Sequence, residues 1–175
     1  MTMIFFGRRF NLYLLPLLAL LLACGCQTNR ESKQLSTVRL HIESAANTSA
    51  SGQTVSVLRD EPVALTITAV PFLSEANVVS ATLLDATGGC AVRIQFDGTG
   101  TWMLEQYTSA NSGKHLVIAG QWGKKPVISR WLAAPIITQR IANGQLTFTP
   151  DASHDEAKAW VLGLNNVAKK NAKEH

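Results

Sequence analysis

Three adjacent residues near the C-terminus, Ser153, His154 and Asp155, are of the types that hydrolases combine for nucleophilic catalysis. A catalytic relay needs the hydroxyl, the imidazole and the carboxylate to be joined by hydrogen bonds in one line. Consecutive residues at the start of a helix point in different directions, so this spacing cannot form the relay. With Glu156, Ser153 instead forms a capping box, in which each side chain satisfies a backbone N–H that lacks a partner within the helix. The segment therefore predicts a helix start and not a catalytic site.

The other residues that could do chemistry do not predict a metal or cofactor site. His41, His115, His154 and His175 lack the spacing to cysteine or carboxylate ligands that zinc sites show. The glycine-rich segment 97–100 has neither the lysine of a phosphate-binding loop nor the third glycine of a dinucleotide fingerprint. No pair of carboxylates stands out for acid and base catalysis. We therefore predict a protein that is not an enzyme and that holds no metal and no cofactor.

Cys24 stands directly after an apolar N-terminal segment. Arg8 and Arg9 precede the apolar residues 12–23, which run directly into the cysteine. A helix of that length spans about 18 Å, whereas the hydrocarbon core of a bilayer is about 30 Å thick. The segment is therefore too short to cross a membrane and has the length and the basic start of a signal peptide.

Residues 21–24, Leu-Leu-Ala-Cys, resemble the lipobox of bacterial lipoproteins, in which the cysteine is diacylated and becomes the new N-terminus. The resemblance implies a signal peptide at residues 1–23 and palmitate-type lipidation at Cys24, with Cys26 as the alternative register. Cleavage of an ordinary secretory signal without lipid is the other alternative. Residues 24–36 are polar and without apolar period, which predicts a flexible tether. The predicted location is the bacterial cell envelope, lipid-anchored to a membrane and facing the periplasm or exterior.

The composition after residue 23 suits one compact exported domain. The remaining 152 residues are enough to bury a hydrophobic core. Loss of Arg8 and Arg9 leaves 14 basic and 12 acidic residues, and a net charge of +2 argues against a nucleic-acid partner. We expect Cys90 to be a lone, semi-buried thiol, with a disulfide to Cys26 as the alternative.

Alternating apolar residues predict a mostly antiparallel sheet with two or three helices on one face, which is an α+β fold. The pattern predicts strands over 37–42, 55–58, 63–68, 81–85, 90–96, 115–119, 126–131 and 145–149. Paired glycines at 88–89 predict a hairpin turn, and residues 121–125 predict an exposed hairpin tip. Helices are predicted after the cap Ser74, over 101–111, and from Ser153. Trp131 and Trp160 are predicted core residues.

Several short segments resemble the head subdomain of the first periplasmic domain of SecD. They are residues 111–118, 126–128, 135–137, 141–144 and 148–149, followed by Asp155-Glu156-Ala157 at the start of the last helix. The resemblance covers residues 60–168 and implies a ferredoxin-like head fold. Residues 37–59 then form N-terminal strands before this domain, and residues 169–175 form a basic tail.

The chain departs from the SecD pattern in two places. Where the family has an aspartate-glycine turn, this chain has the longer tip 121–125, and we predict that Trp122, Lys124 and Lys125 contact a partner there. A tryptophan that merely covers the sheet edge is the alternative. SecD also has six membrane-spanning helices, and we expect none after the signal segment. The proton-driven activity of SecD is therefore not implied for this chain.

These observations together predict a lipid-anchored, non-enzymatic envelope protein whose SecD-head-like domain binds protein. The partner would be an exported polypeptide or a component of an envelope complex. The alternative is a lipoprotein that binds a small molecule or a glycan in a deep apolar pocket.

Overall fold

The computed structural model describes residues 34–44 and 52–174. The predicted signal peptide, both candidate lipidation sites and most of the predicted tether lie outside these residues, as does His175.

The described residues form two α-helices, nine strands and one short 3-10 helix. The strands are β1 (Thr37–Ile42), β2 (Gly52–Val57), β3 (Val63–Thr68), β4 (Leu73–Ser74), β5 (Val78–Ala86), β6 (Gly89–Phe96), β7 (Leu116–Trp122), β8 (Ile128–Ala133) and β9 (Gln145–Phe148). The helices are α1 (Gly98–Ala110), α2 (His154–Glu174) and the 3-10 helix Glu75–Asn77. The α+β class is confirmed.

Strand pairing divides the nine strands over three sheets, and every pair is antiparallel. Sheet A has the order β4-β1-β7-β8, sheet B is the hairpin β2-β3, and sheet C has the order β5-β6-β9. The sequence pattern had predicted a single sheet. An alternating pattern shows which residues face a core, but it does not show which strands are neighbours, so the division into sheets was not predicted.

The main core lies between sheet A, sheet C and the two α-helices. Its largest fully buried side chains are Leu40, Leu73, Ile94, Leu104, Leu116, Ile118, Leu132, Trp160 and Leu164. Helix α2 packs against this core through the apolar stripe that its sequence predicts. The indole of Trp160 lies directly over Gly120, and its Nε1 donates a hydrogen bond of 2.8 Å to the Thr37 carbonyl. The predicted core position of Trp160 is confirmed.

A second, smaller core covers the opposite face of sheet A. Val57 and Ile67 of the β2-β3 hairpin pack there against Val117 of β7, and the half-buried Trp131 packs beside them. Strand β7 is therefore buried on both faces, which explains its continuous apolar run. Trp131, predicted as a core residue, is instead half-buried at the margin of this second cluster.

Local signals set the ends of the helices. Ser153 Oγ accepts a hydrogen bond of 3.3 Å from the Glu156 N–H, and Glu156 Oε2 accepts one of 2.8 Å from the Ser153 N–H, which confirms the capping box. Ser74 caps the 3-10 helix as predicted. Helix α1 begins three residues before its predicted start, because the Asp97 carboxylate accepts a hydrogen bond of 2.6 Å from the Gly100 N–H.

Candidate functional site

The predicted contact residues at the β7-β8 hairpin do not lie together at its tip. Lys124 and Lys125 are exposed there, but Trp122 is only 3% exposed. The prediction that Trp122 is exposed is wrong. Strand β7 continues to Trp122, which pairs with Ile128, and the alternation of side chains turns the indole toward the main core beside Gly120. The Arg130 guanidinium covers the ring at 5.3 Å from its centroid.

Cys90 is a free, buried cysteine in β6. Burial, and to a smaller extent the nearby Asp85 charge, raises the pKa of its thiol. Cys90 is a free thiol as predicted, but it is 5% exposed and therefore buried more fully than the predicted semi-buried position. A raised pKa disfavours the thiolate, so this cysteine is not an activated nucleophile.

His115 and His41 make hydrogen bonds that join neighbouring segments of the fold. His115 Nδ1 lies 2.7 Å from Glu43 Oε2, and the same oxygen accepts the His115 backbone N–H at 2.9 Å. These two hydrogen bonds lower the pKa of Glu43 and join the end of β1 to the start of β7. His41 Nδ1 lies 2.8 Å from the Thr68 carbonyl, and burial is the main cause of its lowered pKa.

The serine, histidine and aspartate at the start of α2 do not form a relay. Ser153 is engaged in the helix cap, and His154 Nδ1 lies 3.9 Å from Asp155 Oδ1 at the exposed surface. Across the described ranges, no group of three or more histidine, cysteine or carboxylate side chains could hold a metal ion.

Strand β9 presents an open backbone edge at one side of sheet C. The Phe96 N–H donates to the Gly144 carbonyl at 2.9 Å, so the even-numbered residues of β9 direct their backbone groups toward β6. Gln145 and Thr147 therefore direct theirs away from the sheet. Asn143 Oδ1 accepts the Gln145 N–H at 3.0 Å. Among the described strands, none pairs with this outer edge.

Two adjoining grooves run beside this edge. One, of about 510 Å³, has Arg93, Arg140 and Gln145 among its lining residues, and the other, of about 140 Å³, lies between β9 and residues 135–141. Ile136 on the far wall is 55% exposed. Arg140 is paired with Glu105 at 3.0 Å. The site thus combines the outward backbone groups of Thr147, the exposed side chain of Ile136 and the Arg93 guanidinium in one open channel.

The far wall of the channel is held by backbone hydrogen bonds to the turn between α1 and β7. The Gly113 N–H donates to the Ile137 carbonyl at 2.8 Å, and the Ile137 N–H donates to the Lys114 carbonyl at 2.9 Å. Further along the same wall, Thr108 Oγ1 accepts the Ile141 N–H at 3.0 Å. These bonds hold Ile137 and Ile141 of the wall against the segment 108–114.

Comparison with known protein families gives a match over residues 43–168 to the family described as SecDF, P1 head subdomain. The chain belongs to this family. The SecDF P1 head match includes the β2-β3 hairpin, strands β4, β7 and β8 of sheet A, all of sheet C and most of α2, and it begins directly after β1. The recognition made from short sequence segments is confirmed. Among curated proteins, no sequence matches the chain significantly.

Solved SecDF structures share this head fold. One, described as a membrane component SecDF that enhances protein export, is 22% identical with a TM-score of 0.52 and is matched over 76% of this chain and 63% of its own. Another, SecDF in a super-membrane-facing form, is 20% identical with a TM-score of 0.52, over 75% of this chain and 19% of its own. This chain therefore spans less than two thirds of either SecDF chain. Within residues 34–44 and 52–174, no helix has the length and apolar character needed to cross a bilayer.

The β9 channel of this SecDF P1 head domain was missed by sequence reasoning. The alternation in residues 145–149 predicted the strand correctly, but nothing local shows that it lies at the edge of a sheet. That position follows only from its pairing with β6 and from the path of residues 135–144. The channel can accept main-chain hydrogen bonds and apolar side chains, which is the chemistry of peptide binding by strand addition.

Proposed function

We propose that this protein is a lipid-anchored, non-enzymatic envelope protein of the SecDF P1 head family that binds extended polypeptide, in connection with protein export. The open edge of β9 beside a channel of mixed polar and apolar lining is the observation that supports polypeptide binding. The SecDF structure described as enhancing protein export supports the link to that process.

In the proposed complex, an extended chain adds a strand to sheet C. The Thr147 N–H and carbonyl are the central donor and acceptor, because both point outward from β9. Alternate side chains of the bound strand would reach Ile136 on the far wall, while its backbone would pair with Thr147. Since main-chain hydrogen bonds are available to any sequence, the interaction would be tolerant of sequence, as binding of many exported chains requires. An open channel also suits an extended chain better than a small molecule, which needs most of its surface enclosed.

The proposed anchor is a lipid on Cys24, with Cys26 as the alternative position. Gln34, where the described structure begins, is the tenth residue after Cys24. An extended tether of that length reaches about 35 Å. The domain would therefore stay within about 35 Å of the membrane surface and could still reorient to bind an exported polypeptide.

Site-specific photocrosslinking in cells tests the proposed polypeptide site. A photoreactive residue in place of Ile136, which is 55% exposed, should capture exported chains. The matched control is Val127, which is 59% exposed in the β7-β8 loop, two residues after the hairpin tip 121–125. Equal capture from both positions would contradict the proposed site.

A proline at position 147 tests the backbone contact itself. Because the Thr147 N–H points away from β6, Thr147→Pro removes the outward donor without removing a hydrogen bond of sheet C. Capture from position 136 should fall by about tenfold, the effect of losing one central hydrogen bond of about 1.4 kcal/mol. Thr147→Ala keeps the N–H and should retain capture. Loss of capture in the alanine variant alone would argue against main-chain binding.

Metabolic labelling with palmitate tests the anchor separately. Labelling should persist in Cys26→Ser and be lost in Cys24→Ser. Loss only in Cys26→Ser would move the anchor to the alternative position, and absence of label in the unmodified protein would contradict lipid anchoring.

A further inference from the structure

A lysine-rich groove lies along the C-terminal half of α2, far from the β9 channel. Leu35, Asn166, Lys169, Lys170 and Lys173 line it, and its volume is about 400 Å³. Leu35 is 52% exposed, and Lys169 and Lys173 are exposed as well. Exposed leucine and lysine side chains on one surface combine an apolar contact with positive charge.

Lysine side chains of helix α2 supply the positive charge of this surface. Spacings of three and four residues place Asn166, Lys169, Lys170 and Lys173 on one side of α2. Between residues 157 and 173 every charged residue of the helix is a lysine. The surface is therefore suited to an anionic partner.

The N-terminal segment leaves the domain beside the same groove. Ser36 crosses α2 at Gly163, where any larger residue would overlap the serine side chain. The Gln34 carbonyl accepts a hydrogen bond of 2.9 Å from Asn166 Nδ2, and Gln34 Nε2 donates one of 2.9 Å to the Ala159 carbonyl. These contacts hold the start of the tether against α2. The groove therefore stays within the reach of about 35 Å that ten extended residues allow from Cys24.

We propose that this lysine groove docks on the anionic phospholipid headgroups of the membrane that holds the protein. The inference rests on the lipid anchor proposed above, which keeps the groove near the bilayer. Lysine ammonium groups are attracted to anionic headgroups within a Debye length of about 8 Å. Leu35 would enter the interfacial region, while the lysine side chains extend along it with their charges in the headgroup layer.

Docking by this groove would leave the β9 channel open. Asn165 joins α2 to β5 through two hydrogen bonds with the Ala81 backbone, of 2.9 Å and 2.8 Å. Strand β5 forms the edge of sheet C opposite to β9. The membrane contact and the proposed polypeptide contact therefore lie on different sides of the domain, and both can be made at once.

Lysine footprinting of the lipidated protein in vesicles tests the docking. Vesicles of phosphatidylcholine alone are compared with vesicles of phosphatidylcholine and phosphatidylglycerol in equal amounts, and amine modification is measured by mass spectrometry. Modification of Lys169 and Lys173 should slow by about threefold or more only with phosphatidylglycerol, and should recover at high salt. Lys158 is the internal control, because it lies on the same side of α2 about 16 Å toward the N-terminus.

A charge variant tests whether the groove itself drives the contact. In Lys169→Gln/Lys173→Gln, Lys170 should lose its lipid-dependent protection, whereas the matched variant Lys114→Gln/Lys158→Gln should retain it. Protection that is independent of phosphatidylglycerol would overturn the proposal, as would equal protection of Lys158. If the groove lysines are already fully protected in neutral detergent, the groove is occupied by residues 24–33 of the chain and not by lipid headgroups, which also overturns the proposal.

Vesicle flotation separates failure of the docking from failure of the anchor. A protein that floats with both kinds of vesicle but shows unprotected lysines overturns only the docking. A protein that floats with neither overturns the anchor and the docking together.

Discussion

The Arg130 guanidinium binds the Glu156 carboxylate through two N–O contacts of 3.0 Å each, and so joins strand β8 to the first turn of helix α2. Arg130 also donates to the Asp151 carbonyl at 3.2 Å and covers the Trp122 ring. Glu156 in turn accepts the Ser153 N–H in the capping box. One half-buried ion pair thus connects the β7-β8 hairpin, the loop after β9 and the helix that fills the main core.

This pair predicts a loss of stability in acid. The hydrogen bonds from Arg130 lower the pKa of Glu156 from its ordinary value of 4.5 to about 2. A lowered carboxyl pKa in the folded state contributes stability above pH 4.5, and that contribution is lost as the pH falls from 4.5 to about 2. Glu156→Gln should therefore lower the free energy of unfolding by about 1–2 kcal/mol at neutral pH and flatten this part of the pH profile.

Urea denaturation at several pH values measures the effect. The control is Asp155→Asn, because the neighbouring Asp155 side chain is fully exposed. Parallel pH profiles for the unmodified protein and Glu156→Gln would show that the ion pair does not contribute as described.

Burial of Trp122 predicts a large cost for its truncation. Trp122→Ala removes a side chain that is 3% exposed and should lower the free energy of unfolding by about 3–5 kcal/mol. Trp102 is 62% exposed on α1, so Trp102→Ala should change it by about 0.5 kcal/mol or less. Chemical denaturation followed by circular dichroism compares the two variants. Similar small effects on the free energy of unfolding at both positions would contradict the burial of Trp122.

The close contact between Gly120 and Trp160 predicts that an added methyl group at position 120 destabilises the folded protein. A Cβ at position 120 would lie 2.5 Å from Leu132 Cδ1 and 2.9 Å from Trp160 Nε1. Gly120→Ala should cost about 1–3 kcal/mol through overpacking of the core. At Gly98, no atom lies within 4 Å of an added Cβ, so Gly98→Ala should be neutral or slightly stabilising. Thermal unfolding of both variants checks the difference, which should be several degrees.

The burial of Cys90 predicts a slow reaction with alkylating agents. Its thiol is 5% exposed and its pKa is raised, so both access and thiolate content are reduced. Iodoacetamide should modify Cys90 at least about tenfold faster in urea than in the native protein. In a Thr87→Cys variant, the new thiol on the neighbouring hairpin turn should react at similar rates in both conditions. Mass spectrometry of the peptides that contain residues 87 and 90 separates the two sites.

Much of the local structure could be predicted from residues that are close in sequence. The Ser153 and Glu156 capping box confirmed the start of α2, and the turn at Gly88, with its φ of 82°, confirmed the hairpin between β5 and β6. Such features depend on a few neighbouring backbone groups, so their signals are complete within four or five residues. The lipid site at Cys24 is equally local as a pattern, but it lies outside the described residues and stays a prediction.

By itself, the sequence determined the α+β class, the positions of nearly all strands and helices, and the resemblance to the SecD head, because periodicity and turn chemistry act over short distances. Only the tertiary structure decided which strands pair and which faces are covered. In the folded protein Trp122 is buried under Arg130, and the outer edge of β9 has no partner among the described strands. Leu35 lies in the same groove as Lys169, although more than a hundred residues of chain separate them. Contacts between distant segments depend on the packing of the whole core, and no local pattern encodes them.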